Sequence, residues 1–131
     1  LTVKRERFLD LVDYLGEFDF PHFHIISGND DGDSISLNYH MGLFRSAGRA
    51  NRIHLTITVH VPKDDLKMPS LHSRIPGVEY SEREIIEMLG VDFEGLPNKA
   101  HVFLPENWND DIKPWRRDET GPGPDDVREL S

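Results

Sequence analysis

Two stretches of this chain alternate strictly between apolar and polar residues. In Ser34–Met41, Ile35, Leu37, Tyr39 and Met41 point one way and Ser34, Ser36, Asn38 and His40 the other. In Arg52–Val61, Ile53, Leu55, Ile57, Val59 and Val61 share one face, and His54, Thr56, Thr58 and His60 share the opposite face. Successive side chains leave a strand on opposite sides, so a period of two reads as a half-buried antiparallel strand. Phe20–Ser27, aromatic and β-branched with Pro21 near its start, predicts a further strand, and Gly28–Asp33 (GNDDGD) supplies turn chemistry. The link Gly42–Asn51 is too short for a helical crossover between parallel strands. The pattern therefore predicts an antiparallel meander.

Elsewhere the period is helical. Phe8, Leu11, Val12 and Leu15 fall at i, i+3, i+4 and i+7, one apolar stripe on a helix over Val3–Leu15, with Thr2 as N-cap and Gly16 as the stop. Lys4, Arg7, Asp10 and Asp13 lie largely outside that stripe. A second helix starts at Ser81. Ser81 and Glu84 form the S-x-x-E capping box, Glu82 and Glu84 sit at the positive end of the dipole, Ile85, Met88 and Leu89 make the buried stripe, and Gly90 ends it after about nine residues. Pro62–Gly77 is a proline-punctuated connection without periodicity. The fold class this implies is α+β: an antiparallel β-meander covered by helices, with an extended C-terminal arm. The domain occupies 1–104 and the arm 105–131, of which Gly121–Ser131 is expected to be disordered alone. The arm has no sustained period, yet it holds both tryptophans, Trp108 and Trp115, followed by Arg116 and Arg117. Tryptophan and arginine are the side chains enriched at interface hot spots. Leu104, Pro105, Trp108, Trp115, Arg116 and Arg117 are therefore the expected partner interface.

Composition narrows the function classes. A net charge of −9 argues against nucleic acid and against docking on anionic lipid. No apolar run approaches the roughly 20 residues of a membrane helix. There is no cysteine, which excludes disulfides and thiolate ligation of ordinary iron–sulfur clusters. It also fits a reducing cytoplasm. The chain begins at Leu1 without a signal-peptide pattern, which suggests a processed form or a fragment. The histidines carry the alternative reading, a freestanding α+β metal-binding protein or enzyme. His22 and His24 share one strand face, and His40, His54 and His60 lie on polar faces, where three could meet on zinc. Their spacings match no established zinc motif. Asn29–Asp33 fails the EF-hand pattern. No phosphate loop, dinucleotide fingerprint or nucleophile elbow is present, so no catalytic residue is expected.

The order of landmarks from Phe18 to Thr120 resembles the 30 kDa subunit family of respiratory complex I, which also supplies membrane-bound energy-converting [NiFe] hydrogenases. The similarity rests on ERE (Glu82, Arg83, Glu84), on F-E-G-x-P (Phe93, Glu94, Gly95, Pro97), on FLPENW (Phe103–Trp108) and on RRDETG (Arg116–Gly121). Leu96 and Ala100 stand where the family usually has other residues, which fits a subunit of a membrane-bound hydrogenase, or of a related archaeal-type oxidoreductase, better than an orthodox complex I subunit. The resemblance implies a structural subunit that binds no cofactor. It implies packing against a large [NiFe]-type or quinone-pocket subunit, near a small [4Fe–4S] subunit. The place implied is the cytoplasmic face of the membrane complex, peripheral and reached only through partners.

Overall fold

The computed structural model describes residues 1–18, 21–43, 53–104, 108 and 112–122. Strands β1 (His22–Asp30), β2 (Ser34–Leu43) and β3 (Ile53–Pro62) form an antiparallel sheet in the order β1-β2-β3. The meander, with helices packed on its apolar face, is the α+β arrangement expected. The alternating residues face as the period demands: Ile35, Leu37, Tyr39, Met41, Ile57, Val59 and Val61 are fully buried. Leu55 is only partly buried and Ile53 is exposed, so the apolar stripe of β3 runs past the edge of the core. The register sets Tyr39 opposite both Ile26 and Ile57. On the other face Thr58 donates to Asn38 Oδ1 across 2.7 Å, from the position directly paired with it.

Helix α1 (Phe8–Gly16) lays Phe8 against Tyr39, with ring centroids 4.4 Å apart. The helix is shorter than the stripe predicted. A 3-10 turn, Arg5–Arg7, precedes it, and Thr2 is no N-cap: it bridges in parallel to Thr58 on the outer edge of β3. Backbone bonds from Val3 to Thr58 and from Thr58 to Leu1 fix that strand-like entry. Gly16 is the last helical residue rather than the stop; Glu17 caps it in right-handed conformation.

Helix α2 (Glu79–Leu89) crosses β1 at Gly28. A Cβ on Gly28 would lie 2.6 Å from Leu89 Cδ1 and 3.2 Å from Ile85 Cδ1, so close helix approach is what requires glycine there. This corrects the turn assigned to Gly28–Asp33: β1 continues to Asp30, and the turn is Asp31–Asp33 with Gly32 at φ 104°. The connection after β3 also holds structure that its sequence conceals. Strand β4 (Lys67–Pro69) pairs in parallel with β5 (Asp92–Glu94), a pairing between segments separated by α2. Arg52, Phe20 and most of the Gly42–Asn51 link lie outside the described residues.

Tyr39 is fully buried, and its Oη finds no hydrogen-bond partner among the described residues. A buried hydroxyl without a partner costs about 1–3 kcal/mol. Tyr39→Phe keeps the Phe8 contact and removes that cost, so chemical denaturation should show unchanged or higher stability, by about 1 kcal/mol. A loss of more than that would show that the hydroxyl is satisfied.

Candidate partner interface

Of the charged family-signature residues, Glu82 lies deepest. It is 0% exposed, its Oε2 accepts from Ser70 Oγ at 2.6 Å, and its Oε1 accepts from the Leu71 amide at 2.7 Å. Ser70 is itself held by its amide to Glu94 O, so one carboxylate ties α2 to the end of the β4–β5 pair. The capping box expected of Ser81 and Glu84 does not form. The chain enters α2 from a 3-10 turn, Pro76–Val78; Val78 is the N-cap and no side chain caps the helix. Ser81 lies inside the helix, and Glu82, beside it, makes long-range contacts instead. Glu84 is half-buried, and burial together with the charge of Glu87 raises its pKa. Phe93 is buried in the core. Gly95 turns the chain at φ 95°, and Pro97 is exposed beyond it.

Arg83 and Glu87 hold the segment that follows. Arg83 donates from Nε to Ala100 O at 3.0 Å and from Nη2 to His101 O at 3.1 Å. Glu87, buried, accepts from three successive amides: Val102 at 3.2 Å, Phe103 at 3.0 Å and Leu104 at 2.8 Å. A carboxylate bonded by several backbone amides is a strong, directional anchor. The segment has no regular hydrogen-bonded structure of its own, so α2 side chains supply the partners that a strand or helix would have given it. The anchoring leaves Phe103 57% exposed, edge-on to Tyr80, which is 53% exposed, with centroids 5.9 Å apart. The two rings together leave apolar surface exposed beside the start of α2.

The arm does not lie free. Its described part folds back on the end of α2, where Gly90 adopts φ 83° as the left-handed cap. The Trp115 amide donates to Met88 O at 2.9 Å and Arg116 Nη1 donates to Leu89 O at 3.1 Å, partnering carbonyls that the helix end leaves over. Arg116, expected at the partner surface, is only 9% exposed, and its guanidinium is used within the chain. Trp115 is 41% exposed and the Arg117 side chain is exposed. Trp108 is half-buried, with Nε1 donating to Ile112 O at 2.9 Å, and Leu104 is half-buried. Pro105 and residues 123–131 lie outside the described residues.

Sequence reasoning missed Asp30 and Lys63. Asp30 is buried, and Lys63 Nζ reaches it at 2.8 Å and Asp118 at 2.7 Å. Arg116 pairs with Asp118 and stands 3.7 Å from Asp30, while the Arg117 amide donates to Asp30 at 2.7 Å. Burial pushes the Asp30 pKa up, but Lys63 and the amides of Arg117 and Gly32 outweigh it and hold the carboxyl below its usual range. The Asp118 carboxyl is held well below its usual range, first through Arg116 and then, against burial, through Lys63 and the Thr120 amide. The density of polar residues around Asp30 reads as a turn in sequence, and only its partners, far along the chain, distinguish it.

The histidine face carries the alternative reading. His22, His24, His54 and His40 form a row, with centroids 5.5, 5.7 and 6.0 Å apart in that order. His40 bonds to Ser27 and Thr56, and His60 lies 4.0 Å from Asp31. The rings follow one another along the sheet, and among the described residues no three such side chains are arranged to hold a metal ion. No described helix is long and apolar enough to cross a membrane.

The meander, the two helices on it and the segments held by the α2 carboxylates make up an α+β domain. Residues 1–125 match the family described as respiratory-chain NADH dehydrogenase, 30 Kd subunit, and the chain belongs to that family. It is 36% identical over 122 residues to the membrane-bound hydrogenase subunit beta of Pyrococcus furiosus, covering 92% of this chain and 69% of that one. It is 30% identical over 120 residues to hydrogenase-4 component G of Escherichia coli, covering 90% of this chain but only 21% of that protein. Among solved structures, one of the membrane-bound sulfane sulfur reductase, an archaeal respiratory membrane complex, shares the fold. Its TM-score is 0.76 at 23% identity, over 88% of this chain and 67% of the other.

Burial raises the Glu82 pKa, against the lowering contributions of Ser70, Leu71 and His72. The unfolded chain therefore releases this proton at lower pH than the folded chain. Between the two values the unfolded state binds fewer protons, so stability falls as pH rises through that window. Glu82→Gln removes this titration. Denaturation midpoints taken from pH 4 to pH 7 should shift in favour of the variant as pH rises, by about 1.4 kcal/mol for each unit of upward shift. A pH-independent gap would mean that Glu82 titrates as an ordinary carboxyl.

Proposed function

We propose that this chain is a structural and assembly subunit of a membrane-associated redox complex of the energy-converting hydrogenase or complex I type. Membership of the 30 Kd subunit family over residues 1–125 is the observation that carries this reading. It binds no cofactor in this reading, and the chain offers no cysteine for a cluster. Its partner is the large [NiFe]-type or quinone-pocket subunit, with the [4Fe–4S] small subunit nearby. Support comes from hydrogenase-4 component G, in which the matched stretch is about one fifth of a single polypeptide. A domain that is continuous with a larger chain in one relative is suited to pack on the equivalent separate chain elsewhere. The surface for it is aromatic: Tyr80 with Phe103 at one end of α2, and Trp115 with the exposed Arg117 at the other. The place proposed is the cytoplasmic side, attached through the complex and not through lipid.

The chain, tagged in its native host and drawn from solubilised membranes, should bring down a large and a small redox subunit. Trp115→Ala should weaken that association by about 2 kcal/mol, the usual scale for a hot-spot tryptophan, or roughly 30-fold. Its thermal midpoint alone should barely move, because the indole is 41% exposed. Recovery of the chain without redox subunits would overturn the proposal.

A further inference from the structure

Residues 113–121 make a closed loop. The Lys113 amide donates to Thr120 O at 2.8 Å, and the Gly121 amide donates to Asp118 O at 3.0 Å. A Cβ on Gly121 would lie 2.2 Å from the Arg116 carbonyl oxygen, so only glycine permits this closure. The loop is then clasped to the body by Asp30 of β1, Lys63 just after β3, and its own Arg116 and Asp118. Two anions and two cations share a site where Asp30 is 4% exposed. Charges so enclosed are screened far less by salt than surface pairs. The backbone bond from Trp115 to Met88 O means that a closed loop also fixes the root of the exposed indole.

We propose that Asp30 is a positioning residue for partner docking: the clasp it anchors holds the loop closed on α2 and presents Trp115 already ordered. The proposal rests on the docking role given above. Asp30 itself is buried beneath the loop, so it acts through Lys63, Arg116 and Arg117 rather than by touching the partner. An unclasped loop must be ordered at the moment of binding, and that loss of freedom weakens association without any contact being removed.

Asp30→Asn, Asp118→Asn and Gly121→Ala test the clasp in the full chain. Trypsin cleavage after Arg116 and Arg117 reports opening, since proteases cut segments that leave the folded body. Losing a hydrogen bond to a charged group shifts such an opening about 10–100-fold, so each variant should be cut at least about tenfold faster there and unchanged elsewhere. Dissociation from the purified complex should quicken by a similar factor. Trp115→Ala added to Asp118→Asn should cost no more than Trp115→Ala alone, because both remove the same anchor. Asp118 lies on the loop, so its variant remains informative if Asp30→Asn disturbs the body. Unchanged cleavage in all three variants would overturn the clasp. Faster cleavage with unaltered dissociation, or losses that add to that of Trp115→Ala, would overturn the positioning role alone. Failure of the wild-type chain to co-purify with redox subunits would overturn the docking role and this inference with it.

Discussion

A carboxylate taken out of water is tolerated only where donors surround it, and a helix that buries two of them commits its neighbours to fixed places. Helix α2 does this with Glu82 and Glu87. Glu82 accepts from Ser70 and Leu71, and Glu87 from the amides of residues 102–104. The amide bonds among these replace hydrogen bonds that irregular backbone would otherwise make to water. The meander needs none of this, since its ladders are self-sufficient. Most of what lies after it in the chain is attached through α2: the β4–β5 pair from one side, the 98–104 segment from another, and the arm at its C-terminal carbonyls.

That division explains what the sequence makes legible. The core strands could be read because a period of two over eight to ten residues is a property of the segment itself: Ile35 to Met41 and Ile57 to Val61 face inward as patterned. Gly90 could be read for the same reason, since a left-handed cap is a local requirement met by glycine. The start of α2 could not. S-x-x-E is a local motif, but here Glu82, between its two members, is held by residues 11 and 12 positions earlier, and the chain enters the helix at Glu79 straight from the 3-10 turn Pro76–Val78. Strands of three residues, as in β4 and β5, are too short to show a period, and their parallel pairing joins segments on either side of α2.

The exposure of the arm's residues was legible only in part. Trp115 and Arg117 are exposed as an anchor-bearing arm implies, whereas Arg116 turns inward because α2 ends beside it with unpartnered carbonyls and Asp118 lies two residues on. A neighbouring pair of arginines gives no sign of which one the helix end will take. Phe103 was read as one letter of a landmark; its pairing with Tyr80 depends on Arg83 and Glu87 laying the segment along α2.

The parts of the clasp lie far apart in sequence, and this bears on how the surface comes into being. The bond from the Arg117 amide to Asp30 spans 87 residues, and that from Lys63 to Asp118 spans 55. Contacts of such separation carry the loop-closure entropy of the intervening chain, so they form only after other interactions have drawn their ends together. Here those interactions are the strand ladders that put Asp30 beside Lys63 and the packing of α2 across Gly28 that brings Leu89 O to the same corner. The arm can therefore close only on a finished body. Under the docking role proposed above, presentation of Trp115 is conditional on correct folding of the meander.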